Sequence, residues 1–223
     1  MATQIRAIYI QLNKFKKNLI KGGMYCMKEK ELNAITEHYK TYLGELEVLN
    51  YTPSINMPFK PQLVLSRANK FHDYNVVATI GVSDIKLNGG AYTNCEFVML
   101  LDKKWKFKLD NPNYTWPLEL VHKISNILRS TNFEMGYGKY FINDSDKTFG
   151  PNTDMGVALI GIPAMLDKRF FELKMGKKYV NFFIITTATV DELKLIKHMG
   201  GINFMQRYLL PEGEDAFIIR NNR

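Results

Sequence analysis

Two stretches of this chain hold residue types that could hydrolyse a bond or hold a cation, and each lacks a position that the chemistry needs. Gly81-Val82-Ser83-Asp84 sets a serine after a glycine, as a nucleophile elbow does. An elbow needs a glycine two residues before and two after the serine so that the strained turn can form, and Ile85 fills the second position. The segment reads as a turn leaving a strand. Asp144, Asp146 and Thr148 alternate like the oxygen ligands of a calcium loop. Such a loop turns on a glycine at its sixth position and closes with a glutamate at its twelfth; here those are Phe149 and Met155, so a solvated loop is expected. His38, His72, His122 and His198 are scattered, and none has a second His or Cys at the spacing common in zinc sites. Three of them fall on predicted helices, where partial exposure is expected. Gly136-Tyr137-Gly138 lacks the third glycine of a dinucleotide turn, and no GxxxxGK[ST] phosphate loop is present. Spacing leaves open whether two carboxylates face each other as in a glycosidase. The expectation is a protein with no catalytic residue, no cofactor and no metal. An enzyme whose site assembles only in the fold is kept as an alternative.

The aromatic residues carry a different chemistry. Trp105, Phe107, Tyr114 and Trp116 cluster beside Lys103, Lys104, Lys106 and Lys108, while Tyr137, Tyr140, Phe141 and Phe149 lie in or beside a long polar stretch. Such rings either pack at sheet edges or anchor a protein interface, where Trp and Tyr are enriched.

These residues must be held by a mixed α/β framework. Residues 28–43 predict a helix, with Leu32, Ile35, Tyr39 and Tyr42 on one face and Gly44 as its stop. Prolines 53, 58 and 61 mark a loop. Gln62–Ser66, Asn75–Gly81, Phe97–Leu101, Val157–Ile162 and Tyr179–Thr187 read as strands, and Asn88-Gly89-Gly90 as a turn. Trp116-Pro117 is expected to open a helix over 117–129, since proline suits a first helical turn. Residues 132–154 read as loop with short strand pieces. Thr189-Val190-Asp191-Glu192 has the pattern of a capping box, starting a helix over 191–199 that stops at Gly200-Gly201. A shorter helical segment is expected near 202–209. Residues 212–223 read as a tail or an added strand around Phe217-Ile218-Ile219.

Charge and composition bound the function. The chain has 223 residues and a formal charge of +8, with ordinary hydrophobic (46%) and charged (23%) fractions, enough for one large domain with a sizeable core. Residues 1–26 hold five basic residues and no acid, so the rest is nearly balanced at +3. That distribution argues against a nucleic-acid-binding domain. Within the basic segment 1–26, residues 1–23 could form an amphipathic helix, with Ile5, Ile8, Leu12, Phe15 and Leu19 three or four apart. A second reading sets it outside the native protein: Lys21-Gly22-Gly23 is one translation of a purine-rich ribosome-binding sequence, so translation would start at Met24 or Met27 instead of Met1. Two distant cysteines, Cys26 and Cys95, and no apolar run of spanning length predict a cytoplasmic protein with no membrane contact.

Taken in order, these features resemble the suppressor-of-fused domain. A strand leads into Gly81-Val82-Ser83. A second strand, Cys95-Glu-Phe-Val-Met-Leu-Leu101, leads into Lys104-Trp105. Trp116-Pro117, Gly136-Tyr137-Gly138, Phe149-Gly150-Pro151-Asn152-Thr153, Val180-Asn181-Phe182-Phe183 and Gly200-Gly201 follow. The resemblance covers roughly residues 40–210, and it rests on order and spacing, not on any one element. Bacterial members often have Gly-Met-Ser where this chain has Val82, and Thr186-Thr187-Ala188 replaces a Pro-Leu-Tyr-type segment. It implies an α+β fold, a mixed and mainly antiparallel sheet flanked by helices, with the domain over 27–211. The animal relative regulates the Hedgehog pathway by sequestering a transcription factor through a peptide that pairs with strand edges. Bacterial single-domain members are similar to immunity proteins, which neutralise a toxin encoded beside them. Neither type is an enzyme.

The Lys- and Asn-rich composition suits a bacterium with an AT-rich genome. The expected function is therefore a non-enzymatic antitoxin that occludes a cognate protein toxin. The alternative is a peptide-binding regulator that acts by strand addition. Candidate contact residues are Trp105, Tyr137, Tyr140, Asp144 and Asp146. A basic nuclease toxin would be matched by an acidic inhibitor, a signature this chain lacks.

Overall fold

The computed structural model describes residues 27–87, 92–131, 133–143 and 147–220. The basic segment 1–26, the Asn88-Gly89-Gly90 turn, Asp144 and Asp146 lie outside the described residues. In chain order the elements are α1 (Glu29–Leu43), β1 (Glu47–Leu49), β2 (Gln62–Ser66), β3 (Asn75–Ile80), β4 (Cys95–Leu101), α2 (Pro112–Ser130), β5 (Tyr140–Ile142), β6 (Met155–Gly161), β7 (Glu172–Met175), β8 (Lys178–Thr189), α3 (Leu193–Met199), α4 (Gly201–Phe204) and β9 (Ile218–Ile219).

The strands form one mixed sheet in the order β1-β2-β3-β4-β8-β6-β5; β7 adds to β8, and β9 to β4. Every pairing is antiparallel except β4 with β8 and β4 with β9. The parallel β4–β8 pair needs a long crossover, and that crossover holds α2.

Alternation along the strands fills two cores. Leu63, Leu65, Val77, Phe97, Met99, Phe183 and Ile185 face one, which α2 covers with Trp116, Val121, Ile124 and Leu128. Val64, Val76, Ala78, Val98, Leu100, Phe182 and Ile184 face the other, which α1 and the helices after β8 cover with Ile35, Tyr39, Ile196 and Phe204. With helices on both faces the central strands are buried along their whole length, and so β4 and β6 read as continuous apolar runs. Phe217 and Ile219 are buried in these cores, so the last described residues belong to the same body.

Several expectations change. Helix α2 starts at Pro112, not at Pro117. The Asn111 side chain accepts from the Asn113 N–H at 3.0 Å and Pro112 occupies the first helical position, a stronger start than Trp116-Pro117. Pro117 lies inside the helix. His38 and His122 are buried on their helices, not partly exposed. His38 stacks on Phe182 at 4.6 Å and its Nε2 bonds the Phe170 carbonyl at 3.0 Å. The reciprocal bonds of the capping-box pattern form, with the Thr189 N–H donating to Glu192 at 2.7 Å and the Glu192 N–H donating back to Thr189 Oγ1 at 3.3 Å, but they close a turn at the end of β8, and α3 begins at Leu193, not at 191.

Candidate partner-binding surfaces

The most buried acid in the sheet is fully engaged in structure. Glu96 is the second residue of β4, and its carboxylate lies in the interior. One oxygen accepts from the N–H groups of Gly81 (2.9 Å) and Ser83 (3.0 Å), the other from Thr79 Oγ1 (2.6 Å) and the Val82 N–H (3.2 Å). Gly81 turns the chain at φ 114°, a conformation that side chains rarely adopt, and so aims three successive amides at one carboxylate. Burial raises the Glu96 carboxyl to about 7, against the opposing pull of these donors. Ser83, the residue in the elbow-like motif, is buried in this turn, and Cys95 beside it is a buried thiol. The motif builds a strand end.

On α2, Glu119 and His122 lie one turn apart beside Tyr51, whose ring is 6.0 Å from that of His122. Glu119 accepts from the Ser54 N–H and so ties the 50–61 loop to the helix. Burial lowers His122 to about 4, and neither ring nitrogen has a hydrogen-bond partner among the described residues. A Glu–His pair is short of a metal site, and no group of three His, Cys, Asp or Glu gathers to hold an ion among the described residues.

The three described contact candidates do not share a surface. Trp105 is only 7% exposed; its ring meets Trp116 and Tyr114 edge-on, and its Nε1 donates to the Tyr114 carbonyl at 3.1 Å. Tyr137 packs against Tyr92 and Phe183 on the α2 side of the sheet, each at 5.3 Å, and burial and its bond to Tyr92 hold its phenol above the usual range. Tyr140 packs on the opposite core.

Two exposed regions stand out, and Tyr140 belongs to the first of them as the first residue of β5. The first is the border of the sheet at β5, which pairs with β6 on one side and with no strand on the other among the described residues. Gly138, just before β5, meets Gly201 so closely that a Cβ on Gly201 would lie 2.2 Å from the Gly138 carbonyl oxygen. This contact seats the start of α4 against the border and leaves Ile202 48% exposed there, while Ile142 at the end of β5 is 46% exposed. Sequence reasoning singled out Gly136-Tyr137-Gly138 and Gly200-Gly201 separately; their pairing is the missed signal. The second region is the loop after β4, where Lys103, Lys104, Lys106 and Lys108 all face solvent around the buried Trp105.

No helix among the described residues is long and apolar enough to cross a membrane. Comparison with known proteins agrees with the fold. A suppressor-of-fused homologue from Neisseria gonorrhoeae superposes with a TM-score of 0.60 at 14% identity, over 88% of this chain and 96% of that one. A chain from the Sufu–Fu complex superposes with 0.60 at 18% identity, over 86% and 90%. Drosophila suppressor of fused gives 0.51 at 15% identity; the match covers 86% of this chain and 49% of the Drosophila chain. No curated protein matches the sequence. The sequence pattern of the suppressor of fused protein (SUFU) family matches residues 60–223, about three quarters of the chain. The chain therefore belongs to the suppressor-of-fused family.

Proposed function

We propose that this domain acts by binding another protein, without catalysis, and that its partner is a bacterial toxin it neutralises by occlusion in the cytoplasm. The observation that carries the binding reading is the β5 border. Ile142 and Ile202 stay exposed there although both cores of the domain are filled. Exposed apolar side chains at both ends of one sheet border suit a protein interface. The toxin reading is supported by the near full-length match to the gonococcal homologue and by the likeness of bacterial single-domain relatives to immunity proteins. Occlusion would bury a standard interface of about 1,600 Å² in total. The test is growth rescue: the toxin gene adjacent to this one is expressed in a sensitive host with and without this protein. Rescue with co-purification of the pair is the expected result. An active toxin that this protein fails to restrain would refute the toxin reading.

A second reading uses the same border differently. Among the described residues no strand pairs with the outer side of β5, the place where a peptide would add as a strand, as in regulators that sequester a peptide. A solved relative in a Sufu–Fu complex gives this reading its support. Capture of an extended peptide, in the absence of any neighbouring toxin gene, would favour it.

A further inference from the structure

We propose that the loop following β4 is a second docking face, built to receive an acidic, extended protein segment. The loop alternates. Trp105, Phe107 and Leu109 turn inward and pack against the α2-side core, while Lys104, Lys106 and Lys108 are exposed. The alternation puts three ammonium groups on one side of a short stretch of chain.

The support beneath them is rigid. The Asp102 carboxylate accepts from the Lys104 N–H at 2.7 Å, the Asp102 carbonyl accepts from the Trp105 N–H at 2.8 Å, and the Trp105 ring is fixed by its bond to Tyr114. The neighbouring β2–β3 turn is tied on by Lys103 to Asp73 at 2.7 Å and by the Arg67 guanidinium 5.5 Å above the Phe107 ring. Lys103 and Arg67 are thus engaged, Arg67 also through Glu47. Among the described residues no carboxylate pairs with Lys104, Lys106 or Lys108. A face that fixes its backbone and pairs its outer charges, yet leaves three central ones open, complements a segment with carboxylates on alternate residues. Nucleic acid fits less well. The one arginine here, the side chain whose fork best matches a phosphate, is held by Glu47.

The inference rests on the protein-binding reading but not on the partner being a toxin. Its test therefore uses the purified chain and a defined probe, a fluorescein-labelled peptide of alternating glutamate and threonine, followed by anisotropy at low ionic strength. Binding is expected to weaken about tenfold in K104E/K106E/K108E, the combined effect of three exposed ion pairs. A control, K168E/K194E/K197E, changes net charge equally and should keep wild-type affinity. The neutral K104Q/K106Q/K108Q variant should fall between. Equal weakening in both charge-reversed variants, no binding by the wild type, or tighter binding of a single-stranded oligonucleotide of the same charge would each overturn the proposal. Thermal melts of the variants separate loss of contact from loss of fold.

Discussion

At the start of β4 a carboxylate sits in the interior with four hydrogen-bond donors arranged around it; past the end of the same strand three lysines stand in solvent with no carboxylate partner among the described residues. Both features lie on the β3–β4 pair, one at each end. A buried charge without partners costs several kcal/mol, so the fold must compensate Glu96 or fail. Exposed lysines are hydrated and cost the fold little, so nothing in folding requires their pattern. The difference separates residues that serve the scaffold from residues free to serve a partner.

The strongest way to break this comparison is at Glu96. Replacing it with alanine strips the partner from three amides and a hydroxyl at once, and we expect a loss of about 4 kcal/mol in chemical denaturation. A near-neutral E96A would mean that the donors find other partners and that the carboxylate is not a structural clamp. At the β5 border, G201A forces a Cβ against the Gly138 carbonyl and should cost about 3 kcal/mol. Because the Gly138 N–H also bonds the Ile160 carbonyl at 2.8 Å, G201A should speed amide exchange in β5 ahead of the rest of the sheet.

Acid titration sharpens the same contrast. Between its ordinary value of 4.5 and about 7, Glu96 binds more protons folded than unfolded. Its contribution is present below 4.5 and is lost as pH rises through about 7. His122 runs the other way: with its pKa lowered from 6.5 to about 4, its contribution is present above 6.5 and is lost as pH falls through about 4. Each is worth up to about 3 kcal/mol, so between pH 4.5 and 6.5 they oppose each other. These two contributions should nearly cancel there, leaving a smaller loss on acidification from His38, which burial also lowers. E96Q should lose stability on acidification and H122Q should gain it, as read by the denaturation midpoint at several pH values. The smallest effect is expected at the lysines: K104E/K106E/K108E should move stability by less than about 0.5 kcal/mol. A larger loss would make those residues part of the scaffold.

Much of the fold was legible in the sequence, and the misses have physical causes. Strands buried on both faces announced themselves as apolar runs, and the Thr189–Glu192 pair marked the turn that leads into α3, which begins at Leu193. β1 and β7 were missed because Glu-Val-Leu and Glu-Leu-Lys-Met are short edge pieces, half exposed, with no long pattern to detect. Pro117 misled because a proline after a tryptophan looks like a start, while the cap that decided the matter was Asn111-Pro112. The sites were less legible. Trp105 has the composition of an interface anchor but the burial of a core residue, and spacing alone does not separate the two. Glu96 did carry a signal: a lone acid inside Cys-Glu-Phe-Val-Met-Leu-Leu must be compensated once that strand is buried. The β5 border depends on Gly138 meeting Gly201 across more than sixty residues, which only the fold discloses.

The most direct test of the central claim, that this domain works by binding a protein at its sheet border, is hydrogen exchange on the purified chain. It would be measured alone and mixed with a catalytically inactive form of the neighbouring toxin. A stable complex is expected in which amides of β5 and the Gly138–Gly201 contact gain protection, with the lysine loop protected as well if the partner carries the acidic segment. A complex that protects another surface and leaves β5 unchanged, or no complex with a toxin that is otherwise folded, would contradict it.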